Sequence, residues 1–120
     1  MDNIELKNRT KQFALRVIKL SEALPKNITG RNVSNQIMRS GTSVAANYRA
    51  TLRARSDKEF ISKLNIVLEE CDETCFWLEI IIESNLIKKE KVEDLYNEAD
   101  ELTAIFVSTL KTMNKKKSKV

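Results

Sequence analysis

Histidine is missing from this chain of 120 residues. With it go the usual general base near neutral pH and the commonest metal-binding ring. Ser-His-Asp and Cys-His arrangements are therefore excluded within one chain. A di-iron bundle site, which needs Glu-x-x-His pairs, is excluded too. Glycine and proline are scarce, at two and one residues. Gly30 and Gly41 stand apart, so there is no glycine-rich phosphate loop. Scarce helix breakers with abundant Leu, Ile, Glu, Lys and Asn predict an all-α protein. The two cysteines, Cys71 and Cys75, lie one helical turn apart in an apolar stretch. That position suits small core residues. A disulfide within one helix is disfavoured by geometry, and a shared soft metal would need more ligands. No apolar run is long enough to span a bilayer. The polar start, Met1-Asp2-Asn3, lacks a signal-peptide apolar region. A cytoplasmic location with no membrane partner is the expectation.

Acidic residues are missing over one long stretch. None lies between Glu22 and Asp57, a span that carries Lys26, Arg31, Arg39, Arg49, Arg53 and Arg55. Residues 1–60 hold twelve basic and five acidic side chains, a net of +7, whereas residues 61–120 have a net of −3. A basic half favours a polyanion or an acidic protein surface. At about 100° per residue, Arg31, Arg39, Arg49 and Arg53 fall within an arc of roughly 80° on one helix. Val33, Ile37, Val44, Tyr48 and Leu52 cluster on the other side. At about 1.5 Å per residue the arginine stripe would run roughly 33 Å.

Four amphipathic helices are predicted, over residues 4–24, 31–54, 57–84 and 89–113. Phe13, Val17, Leu20 and Leu24 form the first seam, ended by Pro25, and residues 25–30 form a connector. Ser56-Asp57-Lys58-Glu59 has the capping-box form that opens the third helix. Its main stripe is Phe60, Leu64, Val67, Cys71, Cys75, Leu78 and Ile82, and Asn85 is its breaker. Val92, Leu95, Ala99, Leu102, Phe106 and Leu110 form the fourth seam. Short links make an antiparallel up-down-up-down bundle the predicted architecture. Residues 4–113 are read as one domain and 114–120, with four lysines, as a basic disordered tail. Ile66, Trp77, Ile80 and Ile81 widen the apolar surface of the third helix. They serve either a second neighbour inside the bundle or a subunit interface. Glu69, Glu70, Asp72 and Glu73 are a solvated helix face rather than a Mg²⁺ site. No metal or cofactor is expected.

The segment Arg39-Ser-Gly-Thr-Ser-Val-Ala-Ala-Asn-Tyr-Arg49, then Arg53-Ala-Arg55-Ser56 and Glu59-Phe60-Ile61, resembles a known family. Lys63-Leu64, Leu68-Glu69-Glu70-Cys71-Asp72-Glu73-Thr74 and Trp77-Leu78-Glu79 continue the match, and Ala23-Leu24-Pro25 and Gly30 fit upstream. The chain is similar, over residues 10–110, to bacterial four-helix-bundle proteins encoded in intervening sequences of 23S ribosomal RNA genes. The resemblance implies an up-down bundle in a ring-shaped homo-oligomer, typically a pentamer. A related branch serves as accessory proteins of diversity-generating retroelements, which bind nucleic acid and a reverse transcriptase. Ala50 departs from the pattern, since many relatives have glutamate there.

The expected function is a non-enzymatic homo-oligomer that binds nucleic acid, RNA foremost. Arg31, Arg39, Arg49, Arg53, Arg55, Lys58 and Lys63 are the candidate contacts, because guanidinium forks suit phosphate. Asn47, Tyr48, Trp77, Ile80 and Ile81 are the candidate oligomer interface. The alternative is a protein-interaction scaffold or accessory subunit. In that case the arginines would pair with Glu69, Glu70, Glu73 or Glu83 of the same or the next subunit.

Overall fold

The computed structural model describes the backbone of residues 1–118 and the side chains through Lys116. Four α-helices follow one another: α1 (Asn3–Ala23), α2 (Ile28–Thr51), α3 (Asp57–Glu83) and α4 (Glu93–Ser118), with a 3-10 turn at Lys89–Lys91 before the last. No strand occurs among the described residues. Helix α2 packs on α1 and α3, α4 packs on α3, and a lighter contact between α4 and α1 closes the up-down-up-down bundle.

Each of the first three helices starts on a side-chain cap. The carboxylate of Asp2 accepts the Glu5 N–H at 2.8 Å, Asn27 accepts that of Gly30 at 2.8 Å, and Ser56 accepts that of Glu59 at 3.1 Å. These caps satisfy N–H groups that the first helical turn leaves without partners. The Asn27 cap starts α2 at Ile28, three residues before the expected Arg31, and brings Gly30 into its first turn. A Cβ on Gly30 would lie 1.8 Å from the Pro25 carbonyl oxygen, so only glycine fits. At its other end α2 stops at Thr51, and 3-10-type bonds from Arg53 to Ala50 and from Ala54 to Thr51 tighten the exit. Asn85, at φ 56°, ends α3 in the left-handed conformation that asparagine tolerates. Helix α4 continues to Ser118, so the backbone of residues 114–118 is helical where a disordered tail was expected. Lys119 and Val120, the rest of that tail, lie outside the described residues.

The predicted seams of α1 and α4 are buried throughout, from Phe13 to Leu24 and from Val92 to Leu110. Helix α3 turns inward through Ile81 rather than Ile82, which is half-buried. Two expected interface residues are therefore core residues. Ile81 is completely buried, and Tyr48, 2% exposed, stacks on Phe106 with ring centroids 5.9 Å apart. Neither has surface to offer a second chain. Asn47 is half-buried and donates its side-chain N–H to the Ser43 carbonyl at 2.9 Å.

Small residues bring the helices close. Gly41 lies against Val17, where an added Cβ would meet Cγ1 at 2.7 Å. Ser40 and Thr74 share a buried hydroxyl contact of 2.9 Å between α2 and α3. Cys71 and Cys75 are buried as free thiols, and Thr103 donates to the Cys71 sulfur at 3.3 Å. The hydrogen bond with Cys75 and burial push the Cys71 thiol well above its ordinary pKa. The lighter α1–α4 contact carries a bidentate pair, with Arg9 Nε to Glu98 at 2.8 Å and Nη2 to Glu98 at 2.7 Å. That Glu98 bond raises the Arg9 pKa against the opposing effect of burial.

Candidate nucleic-acid interface

The turn from α2 into α3 brings four cations together. Ser56 caps α3, and the Glu59 carboxylate reaches back to the Arg55 backbone N–H at 3.3 Å. This is a capping box displaced by one residue, since the carboxylate usually bonds to the cap itself. It fixes Arg53 and Arg55 beside Arg49 on the last turn of α2 and Lys63 on the second turn of α3. Together with Ala46, Ala50 and Glu59 these side chains line a groove of about 370 Å³. Lys63 lies 3.9 Å from Glu59, the one carboxylate there.

A second groove of about 410 Å³ lies on the other flank of α2, between that helix and α1. Lys7, Asn8 and Lys11 of α1 line it with Thr42, Ala45, Ala46 and Arg49. Ala46 and Arg49 border both grooves, so the two form one surface with α2 as its ridge. Six cations and one carboxylate border this surface. Arg49 and Arg53 have no carboxylate partner among the described residues.

The rest of the predicted stripe is divided. Arg39, midway along α2, bonds to Glu70 at 3.1 Å and to Glu73. The hydrogen bond to Glu73 is the main cause of its raised pKa. The same Glu73 carboxylate accepts the Trp77 indole N–H at 3.2 Å. Arg31, near the far end, donates to the Lys26 carbonyl at 2.8 Å and borders a separate groove with Glu22. Lys58 is exposed but borders neither cationic groove. The structure thus gathers Arg49, Arg53, Arg55 and Lys63, and leaves Arg31, Arg39 and Lys58 elsewhere. Lys7 and Lys11 are members that sequence reasoning missed. Their only signal is an i, i+4 spacing on the outer face of α1, which is common on solvated helices.

Of the apolar residues proposed to face a partner, Trp77 and Ile80 are half-buried on α3. Phe76, 50% exposed, packs edge-on against Trp77 with centroids 4.9 Å apart. Ile66 is 44% exposed on the same helix. At about 100° per residue Ile66, Trp77 and Ile80 share an arc of roughly 60°, turned away from the core stripe and bordered by Phe76.

No group of three or more His, Cys, Asp or Glu able to hold a metal occurs among the described residues. None of the described helices is long and apolar enough to cross a membrane.

Comparison with known proteins matches residues 2–108 to the family described as 23S rRNA-intervening sequence protein. Among solved structures, a protein of the S23 ribosomal protein family from Bacteroides thetaiotaomicron, described as having unknown function, is 37% identical with a TM-score of 0.84. The similarity covers 92% of this chain and 99% of that one. No curated protein matches the chain.

Proposed function

The chain belongs to the 23S rRNA-intervening sequence protein family, and on that footing we propose that it is a non-enzymatic, homo-oligomeric RNA-binding protein. Its contact surface is the cationic ridge at the C-terminal end of α2. The observation that carries this reading is the imbalance of six cations to one carboxylate, with Arg49 and Arg53 unneutralised at its centre. Guanidinium forks donate paired hydrogen bonds to phosphate oxygens. Each phosphate neutralised also releases condensed counterions, so such binding weakens with salt. Ala50 also lines the groove and adds no negative charge to it.

Fluorescence anisotropy with a 23S rRNA fragment over a salt series tests the reading. Replacing both Arg49 and Arg53 by alanine should lower the slope of log affinity against log salt by about 1.4–1.8, at roughly 0.7–0.9 per lost phosphate contact. An unchanged slope in a folded double variant removes this surface from consideration.

The oligomer is proposed to be a pentamer, as the resemblance implies, with the α3 face of Ile66, Phe76, Trp77 and Ile80 between protomers. Exposed aromatic side chains of this kind are enriched at interfaces. A light-scattering mass near five times the 13.8 kDa chain supports it, and a monomer mass at all concentrations refutes it. The exposed Phe76 ring packed on half-buried Trp77 also favours a second reading, a scaffold for a protein partner such as a reverse transcriptase. A partner that stays bound after nuclease digestion distinguishes that role from RNA binding.

A further inference from the structure

The cationic ridge has a shape and a composition that select among nucleic acids. Resting on the RNA-binding reading above, we infer that its partner is double-stranded RNA, met across the minor groove without regard to sequence.

Three features carry this. The first is what the surface lacks. Of four phenylalanines, two tyrosines and one tryptophan, none lines either groove. Proteins that hold single strands stack bases on aromatic rings, and here no ring is offered.

The second feature is the placement of charge. Lys7 and Lys11 stand on the α1 flank, and Arg53, Arg55 and Lys63 on the α3 flank, with α2 between them. Packed helices lie about 8–10 Å apart, which puts α1 and α3, on the diagonal of the bundle, roughly 11–14 Å apart. Two cationic flanks match the two phosphate rows that border a duplex groove. A single strand has one row.

The third feature is the ridge itself. Arg49 apart, its surface along the α1 groove is Thr42, Ala45 and Ala46. Side chains this short, on a helix held between two neighbours, do not reach base edges at the bottom of a B-form major groove about 8.5 Å deep. An A-form minor groove is wide and shallow and displays 2′-hydroxyls at that height. The Thr42 hydroxyl, which donates to the Met38 carbonyl at 2.7 Å, keeps acceptor capacity for a 2′-hydroxyl. The exposed Asn8 amide beside it offers both a donor and an acceptor.

The test is anisotropy at one fixed salt with three probes of the same sequence: a 20-base-pair RNA duplex, the matching DNA duplex and the single RNA strand. The expected result is RNA-duplex affinity at least tenfold above both others. The double substitution Asn8→Ala with Thr42→Val should bring RNA-duplex binding towards the DNA level while leaving the salt slope unchanged. Equal or tighter binding of the single strand overturns the inference yet leaves the RNA-binding reading standing, as does DNA bound as well as RNA. A preference for RNA duplex that survives the Asn8/Thr42 substitutions also overturns it. Binding to none of the probes overturns the RNA-binding reading itself.

Discussion

Arg39 and Glu73 are joined across α2 and α3 by a charge-assisted hydrogen bond, and the same carboxylate orients the Trp77 indole. The middle of the arginine stripe is thereby occupied within the chain. A helical wheel cannot show this, because it projects one helix and Glu73 belongs to another.

Replacing Arg39 by alanine should therefore leave the salt dependence of RNA binding unchanged. Its side chain is half exposed, at 50%, so solvent screens the pair. The expected loss of stability is at most about 1 kcal/mol. Urea unfolding and anisotropy on the same variant check both halves of this statement.

Lys7 and Lys11 are remote from the arginines in sequence but share a groove with Arg49. Changing both to alanine should lower the salt slope of RNA binding by about 1.4–1.8, as expected for two lost phosphate contacts. The melting temperature should move little, since both side chains are exposed. A slope that stays at the wild-type value would confine the contact surface to α2 and α3.

Gly41→Ala sets helix propensity against packing. Alanine gains about 1 kcal/mol in a helix interior over glycine. Its Cβ would lie 2.7 Å and 2.8 Å from the two Val17 methyl groups, inside the α1–α2 contact. Overpacking of this kind costs about 1–3 kcal/mol, so a net destabilisation is expected in denaturant unfolding. A more stable variant would mean that α1 and α2 separate freely at this point.

Tyr48 gives a pH signature. Burial, with a smaller contribution from Asp2, raises its pKa above the ordinary 10.0. Above about pH 10 the unfolded chain releases this proton more readily than the folded one, so stability falls as pH rises. Below that pH the contribution is constant. Tyr48→Phe should flatten the alkaline limb of an unfolding series run from pH 8 to 11. Its hydroxyl contact with Asn3, at 3.4 Å, is long, so the variant should lose less than about 1 kcal/mol at pH 8. The wild-type limb persisting unaltered in the variant would trace the effect to another group.

Much of the fold was legible because apolar spacing alone determines it. Every seam residue of α4 from Val92 to Leu110 is buried, and the capping box at Ser56 opens α3 as its sequence form predicts. The start of α2 was not legible from spacing. It rests on one amide, Asn27, and on the fit of Gly30 under the Pro25 carbonyl. The outward exit of Arg53 likewise depends on 3-10 bonds formed after Thr51, where the wheel no longer applies. The candidate site was half legible. Arg49, Arg53, Arg55 and Lys63 lie close in sequence, whereas Lys7 and Lys11 join them only through the α1–α2 contact. Tyr48 and Ile81 were misplaced because an apolar residue at the edge of a stripe reads the same whether it faces its own chain or another.

The unbroken run of α4 to Ser118 has one more consequence. Lys116 sits 3.4 Å from Asp57 at the head of α3, so it shares a pole of the 52 Å rod with Arg53, Arg55 and Lys58. Four cations, Arg53, Arg55, Lys58 and Lys116, thus stand near this pole. On the RNA-binding reading, the field of these cations would turn this pole toward a negative polymer before any atoms touch. The frequency of useful collisions, rather than their duration, would then be the quantity that shortening α4 reduces.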